Sequence, residues 1–102
     1  MRRDEIIAKL RSREADLRAA GVASLALFGS VARGDDDNDS DVDVVVQLTD
    51  RASNRGFAYF GQIEALQRDL SDLLGRRVDV IAEPVSKERL RQRIEKDRTV
   101  AF

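Results

Sequence analysis

Asp41 and Asp43 stand two residues apart at the head of the valine-rich run Asp41-Val42-Asp43-Val44-Val45-Val46. On an extended strand, residues i and i+2 leave the same face about 6.6–7 Å apart. Two carboxylates so placed can converge on one hard cation, or on a pair of them. The plainer reading is an edge strand with a solvated acidic side. Val45 speaks against it, because an apolar residue shares the carboxylate face while Val42, Val44 and Val46 point the other way. A third carboxylate lies in Arg77-Val78-Asp79-Val80-Ile81, where Asp79 shares a face with Ile81. A lone Asp in an apolar strand is costly to desolvate unless something pairs with it. Beside Asp41 and Asp43 it would complete a three-carboxylate site; otherwise it is a partly exposed residue neutralised by Arg76 or Arg77. Upstream, Gly29-Ser30 follows the apolar run Ser24-Leu25-Ala26-Leu27-Phe28. A Gly-Ser at such a point lets backbone N–H groups and one hydroxyl approach a phosphate, particularly where Ser30 opens a helical turn. An ordinary strand-to-turn junction has the same residues.

Composition narrows the chemistry through what it lacks. The 102 residues include no histidine and no cysteine. Imidazole bases, thiolate nucleophiles and the usual zinc, haem and iron–sulfur ligands are therefore excluded, as is any disulfide. What remains is oxygen chemistry on Asp, Glu, Ser, Thr and Tyr, with Lys and Arg as cations. The 18 basic and 19 acidic side chains leave a formal net charge of −1, which argues against a generic nucleic-acid binder. Of the 13 Asp residues, six fall between Asp35 and Asp43. No apolar run approaches the roughly 18 residues of a membrane span, and Met1-Arg2-Arg3-Asp4-Glu5 opens no secretory signal. The expectation is a cytoplasmic protein with no membrane association, folded as a single domain over residues 1–102.

The elements that must position these residues follow from periodicity. Residues 3–20 read as one helix, with Ile6, Ile7, Leu10 and Leu17 on a stripe and Gly21 as its stop. Residues 24–28 read as a buried strand and residues 34–40 as a polar loop. Val42 to Leu48 is a β-branched strand. From about Asn54 to Leu74, Tyr59, Ile63, Leu66, Leu70 and Leu73 recur at helical spacing before Gly75. Val78 to Ala82 is a third strand, and Ser86 can cap a last helix running to about Arg98. The order α-β-β-α-β-α implies an α/β (α+β) fold, a small mixed sheet flanked by helices. Tyr59 on its stripe reads as core. The basic last helix, the apolar tail Val100-Ala101-Phe102 and Phe57 are candidate partner contacts.

Two familiar motifs fail. Gly29 to Gly34 has P-loop glycine spacing, but Asp35-Asp36 follows where Lys-Ser/Thr is required. Counted from Asp37, an EF-hand loop would hold Val42 at its glycine and Leu48 at its terminal glutamate. The full string is Gly29-Ser30-Val31-Ala32-Arg33-Gly34, five residues, then Ser40-Asp41-Val42-Asp43, with Asp79 on a later strand. It resembles the DNA polymerase β-type nucleotidyltransferase superfamily, and within it the minimal nucleotidyltransferase (MNT) branch, whose members are commonly antitoxins of small helical HEPN ribonuclease toxins. The resemblance implies a polymerase β-like fold and transfer of AMP from ATP to a tyrosine of such a toxin, in a hetero-oligomer. It further implies that Asp41, Asp43 and Asp79 are the catalytic residues, holding two Mg²⁺ ions, with Asp79 helping to deprotonate the incoming hydroxyl. Gly29 and Ser30 would hold the terminal phosphates. Arg33 would contact phosphate or pair with the acidic loop, and Ser40 would contact phosphate or cap the turn. A non-catalytic antitoxin acting by occlusion, and a nucleotidyltransferase acting on a small molecule or an RNA end, are the alternatives.

Overall fold

The computed structural model describes residues 2–35, 40–49 and 57–102, with residues 57–60 described by their backbone alone. In chain order the elements are α1 (Arg3–Ser12), α2 (Glu14–Ala19), β1 (Val22–Phe28), α3 (Gly29–Arg33), β2 (Val42–Leu48), α4 (Phe57–Leu74), β3 (Val78–Ala82), α5 (Glu88–Asp97) and β4 (Thr99–Val100). The four strands form one mixed sheet in the order β3-β2-β1-β4. β1 is antiparallel to β2 and β4, while β2 and β3 run parallel. A parallel pair needs a long crossover, and α4 supplies it. The mixed α/β architecture expected from the sequence is the one observed.

Alternation along the strands creates two unequal cores. Leu25 and Leu27 of β1, Val42, Val44 and Val46 of β2, and Val78 and Val80 of β3 face one way. There they meet Ile6 and Leu10 of α1, Leu17 of α2 and Leu66, Leu70 and Leu74 of α4. The opposite face buries Ala26, Phe28 and Val45 against Ile94 of α5, with Ile81, Val85 and Leu90 packed around them. The stripe Ile63, Leu66, Leu70 and Leu73 of α4 thus packs on the main core as its spacing implies, whereas the side chains of Phe57 and Tyr59 and the start at Asn54 lie outside the described residues.

Several boundaries differ from the periodicity. The first helix is interrupted at Arg13 (φ −107°, ψ 11°). Its N–H bonds back to the Leu10 carbonyl, and the Ser12 hydroxyl donates to the Lys9 carbonyl, a local bond that competes with helix continuation. The first strand starts at Val22 rather than residue 24, because the β1–β2 register slips between Val22 and Ser24. That bulge returns Val22 to the same core as Leu25 and Leu27 and hides the strand from a period-two reading. Ser86 caps nothing: the last helix begins at Glu88 with Lys87 at the N-cap position and no side-chain cap bond, one residue beyond the reach of a serine at 86. The tail is part of the fold. β4 pairs with β1, the Ala101 N–H donates to the Leu25 carbonyl, and Ala101 is fully buried.

The outer edge of β3 is closed by α4. The Val78 N–H donates to the Ser71 hydroxyl at 3.1 Å and the Val80 N–H to the Gln67 side-chain oxygen at 3.0 Å. Strand-edge amides that would otherwise be open to another chain are thereby satisfied.

Candidate active site

β1 ends at Phe28 in extended conformation, and Gly29, at φ +76°, turns the chain into the single turn of α3. That φ favours glycine. Space demands it too, since a Cβ on Gly29 would lie 2.5 Å from Asp43 Oδ2. The Asp43 carboxylate therefore rests against the bare backbone of Gly29. Ser30 follows, half-buried, and its carbonyl accepts the Asp35 N–H at 3.1 Å.

Sheet register brings the acids together. Asp43 is the partner of Phe28 across the antiparallel pair and of Asp79 across the parallel one. One step along the same face, Ala26, Val45 and Ile81 make the next row, which packs on α5. Asp43 and Asp79 thus sit side by side, both half-buried, where the smaller core gives way to solvent. Asp41 precedes β2 and is also half-buried. Its flanks are tied to the residues before β3: the Arg76 guanidinium donates to the Ser40 carbonyl at 2.6 Å, and the Val42 N–H to the Arg77 carbonyl at 2.9 Å.

Electrostatics bear out the crowding. Partial burial pushes the Asp43 carboxyl above its ordinary value, and the neighbouring charge of Asp79 raises it further. Arg93 opposes the rise, with smaller effects from Asp41 in the first sense and Arg33 in the second. A hard divalent cation relieves this kind of strain, and carboxylate oxygens are its preferred ligands. The pair Asp43–Asp79 therefore fits one. Among the described residues, no group of three acidic side chains is arranged to hold a metal ion as they stand; Asp41 lies just before the first residue of β2.

Arg33 is engaged by acids. Its Nε donates to Asp35 at 3.1 Å and its guanidinium NH1 to Asp97 at 2.7 Å, and these two carboxylates raise its pKa, Asp35 foremost. Of its two expected roles, pairing with the acidic loop is present in Asp35; Asp36, Asp37 and Asp39 lie outside the described residues. Asp97, on the far side of α5 from solvent with its side chain only 6% exposed, carried no signal in sequence beyond its place in a charged helix. Arg93 was likewise one basic residue among several. A polar cleft of about 500 Å3 runs beside Asp79, lined by Glu64, Gln67, Arg68, Ser71, Arg77 and Val78. A second cavity of about 490 Å3 lies between α2 and α4, away from the carboxylates.

A short turn pinned by glycine thus meets a strand carboxylate, with a second carboxylate on the neighbouring parallel strand. The chain belongs to the nucleotidyltransferase domain family, whose model matches residues 4–101. A Methanocaldococcus jannaschii protein named as a candidate protein adenylyltransferase is 38% identical over 60 residues, 59% of this chain and 56% of that relative; the match thus spans little more than half of the relative's length. The solved structure of a candidate minimal nucleotidyltransferase superposes with a TM-score of 0.76 at 28% identity, covering 97% of this chain and 95% of the other. A chain from the complex of tri-AMPylated Shewanella oneidensis HEPN toxin with MNT antitoxin has a TM-score of 0.61 at 19% identity, over 90% of this chain and 68% of that one. At that identity the likeness is one of fold. Among the described residues, no helix is long and apolar enough to cross a membrane.

Proposed function

We propose that the chain is an antitoxin that transfers AMP from ATP to a tyrosine hydroxyl of a partner HEPN ribonuclease toxin and so silences it, in the cytoplasm. The observation that carries this reading is the placement of Asp43 beside Asp79, with the Asp43 carboxylate seated on Gly29. The resemblance of the motif to MNT antitoxins, and the fold shared with the antitoxin of an AMPylated HEPN toxin, support the choice of acceptor. The Methanocaldococcus relative supports adenylyl transfer to protein.

Asp41, Asp43 and Asp79 would hold Mg²⁺, which neutralises the charge developing on the attacking and leaving oxygens. Gly29 seats the Asp43 carboxylate against its bare backbone, and the backbone N–H groups and hydroxyl of the Gly29-Ser30 turn would meet the triphosphate. Asp79, one of the residues lining the polar cleft, takes the phenolic proton as the tyrosine oxygen forms its bond to the α-phosphorus. The bond from the α-phosphorus to the bridging oxygen breaks, and diphosphate leaves with that electron pair. Ser40 serves through its carbonyl, fixing the approach to Asp41 by way of Arg76.

The test is intact-mass spectrometry of a HEPN toxin from the same organism after incubation with Mg-ATP and the chain. One or more adenylyl adducts are expected, absent with Asp41→Ala/Asp43→Ala. An unmodified toxin that is still neutralised, by the native chain and by that variant alike, would overturn transfer in favour of occlusion.

A further inference from the structure

Nucleotidyl transfer requires positive charge on the leaving diphosphate, yet the motif's own arginine is held by two acids. Arg33 bonds Asp35 and Asp97 at once, so recruiting it to a phosphate would strip both. Arg93 is placed differently. On α5, Leu90, Ile94 and Asp97 follow one another at i, i+4 and i+7, and these are the residues that turn inward: Ile94 is buried in the smaller core, Leu90 packs on it, and Asp97 reaches Arg33. Arg93 lies at the flank of that stripe, one turn before Asp97, so it shares the side of the helix that meets α3. α5 packs on both α3 and β1, and it covers the same sheet face that carries Asp43 and Asp79 one row further on. Arg93 is exposed and makes no hydrogen bond or ion pair among the described residues.

We propose that Arg93, rather than Arg33, is the cation that contacts the β- and γ-phosphates of the bound nucleotide. The proposal rests on the nucleotidyltransferase reading and adds a residue outside the Gly-Ser and Asp-x-Asp elements. α5 then has two tasks along one flank: Asp97 anchors α3, and Arg93 meets the phosphates that α3 presents. A guanidinium suits this position because its planar fork engages two phosphate oxygens together.

Calorimetric titration of the full chain with Mg-ATP and, separately, with AMP tests it without any acceptor protein. Arg93→Ala is expected to weaken Mg-ATP binding about 10- to 100-fold, the scale of one charge-assisted contact, while AMP binding changes less than about twofold and the melting temperature holds, as befits an exposed side chain. Arg93→Lys should recover part of the loss. Arg33→Ala should weaken Mg-ATP less than Arg93→Ala and should lower the melting temperature by loosening α3 from α5. Equal Mg-ATP affinity in Arg93→Ala and the native chain, or the greater loss in Arg33→Ala, would overturn the proposal while leaving the nucleotide site intact. Equal losses for ATP and AMP would overturn it as well, since they would mean a damaged site rather than a missing phosphate contact. No binding of Mg-ATP by the native chain would remove the underlying reading and this proposal with it.

Discussion

The two faces of β2 are built from alternate residues of one seven-residue strand, and they do opposite things. Val42, Val44 and Val46 are each fully buried under α1, α2 and α4. On the other face Val45 is buried with Ile94 and Leu90 of α5 and with Val85, and the next position toward the start of the strand is the half-buried Asp43. One face thus supplies the apolar burial that holds the sheet, at roughly 25 cal/mol per Å2. The other stops short of closing, and carboxylates occupy the opening. Within these 102 residues the division falls inside single strands. Stability and chemistry are interleaved at a spacing of two.

The comparison breaks most visibly on the covered face. Leu27 has no exposed surface, so Leu27→Ala should lose about 2–5 kcal/mol, a large part of the roughly 5–15 kcal/mol available to a small domain. Urea unfolding measures it. Should Asp79→Asn lose as much, the assignment of stability to one face would fail.

A sharper probe sits where the faces meet. Gly29→Ala places a methyl against the Asp43 carboxylate on a backbone with φ +76°. The expected loss is about 1–3 kcal/mol for the backbone conformation, together with a fall of about 100-fold in nucleotidyl transfer as the carboxylate is displaced. Gly34 is the control: it has φ +80°, but among the described residues nothing lies within 4 Å of the place its methyl would take. Gly34→Ala should share the stability loss and keep transfer within a few-fold. Equal transfer losses in the two variants would show that the contact with Asp43 does not matter.

The parts of this arrangement that sequence reveals are those governed by short periods. The extent of β2 follows from its β-branched run and that of β3 from a short apolar run between breaks, the division of Val42, Val44 and Val46 from Asp43 from alternation, and the stripe of α4 from helical spacing. What escapes is set by contacts distant in sequence. The bulge at residues 22–24 reverses the alternation of β1, so its first residues do not look like strand. β4 is two residues long and exists because β1 offers it an edge. Asp97 and Arg93 acquire their places only when α5 lies on α3, and nothing in a run of alternating charges singles them out. The side-by-side position of Asp43 and Asp79 depends on parallel pairing across the whole of α4, which no local pattern encodes.

The smallest expected effect lies at the carboxylate itself, and its sign is the informative part. Burial and the charge of Asp79 raise the folded-state pKa of Asp43 above the ordinary 3.8, so the folded chain binds a proton there more readily than the unfolded one. The contribution of Asp43 to stability is therefore fully present below the ordinary value and is lost as pH rises through the raised one. Above that window the ionised carboxylate is a net burden on the fold. Asp43→Asn removes the charge with little change in shape, so at pH 7 it should melt higher than the native chain, by less than about 1 kcal/mol. The advantage should close as pH falls into the carboxylate range, while transfer activity is lost at every pH. Melting curves of both proteins across that range decide the matter. A native chain more stable than Asp43→Asn at neutral pH would mean that Asp43 serves the fold, and that the two faces of β2 are not divided between stability and chemistry.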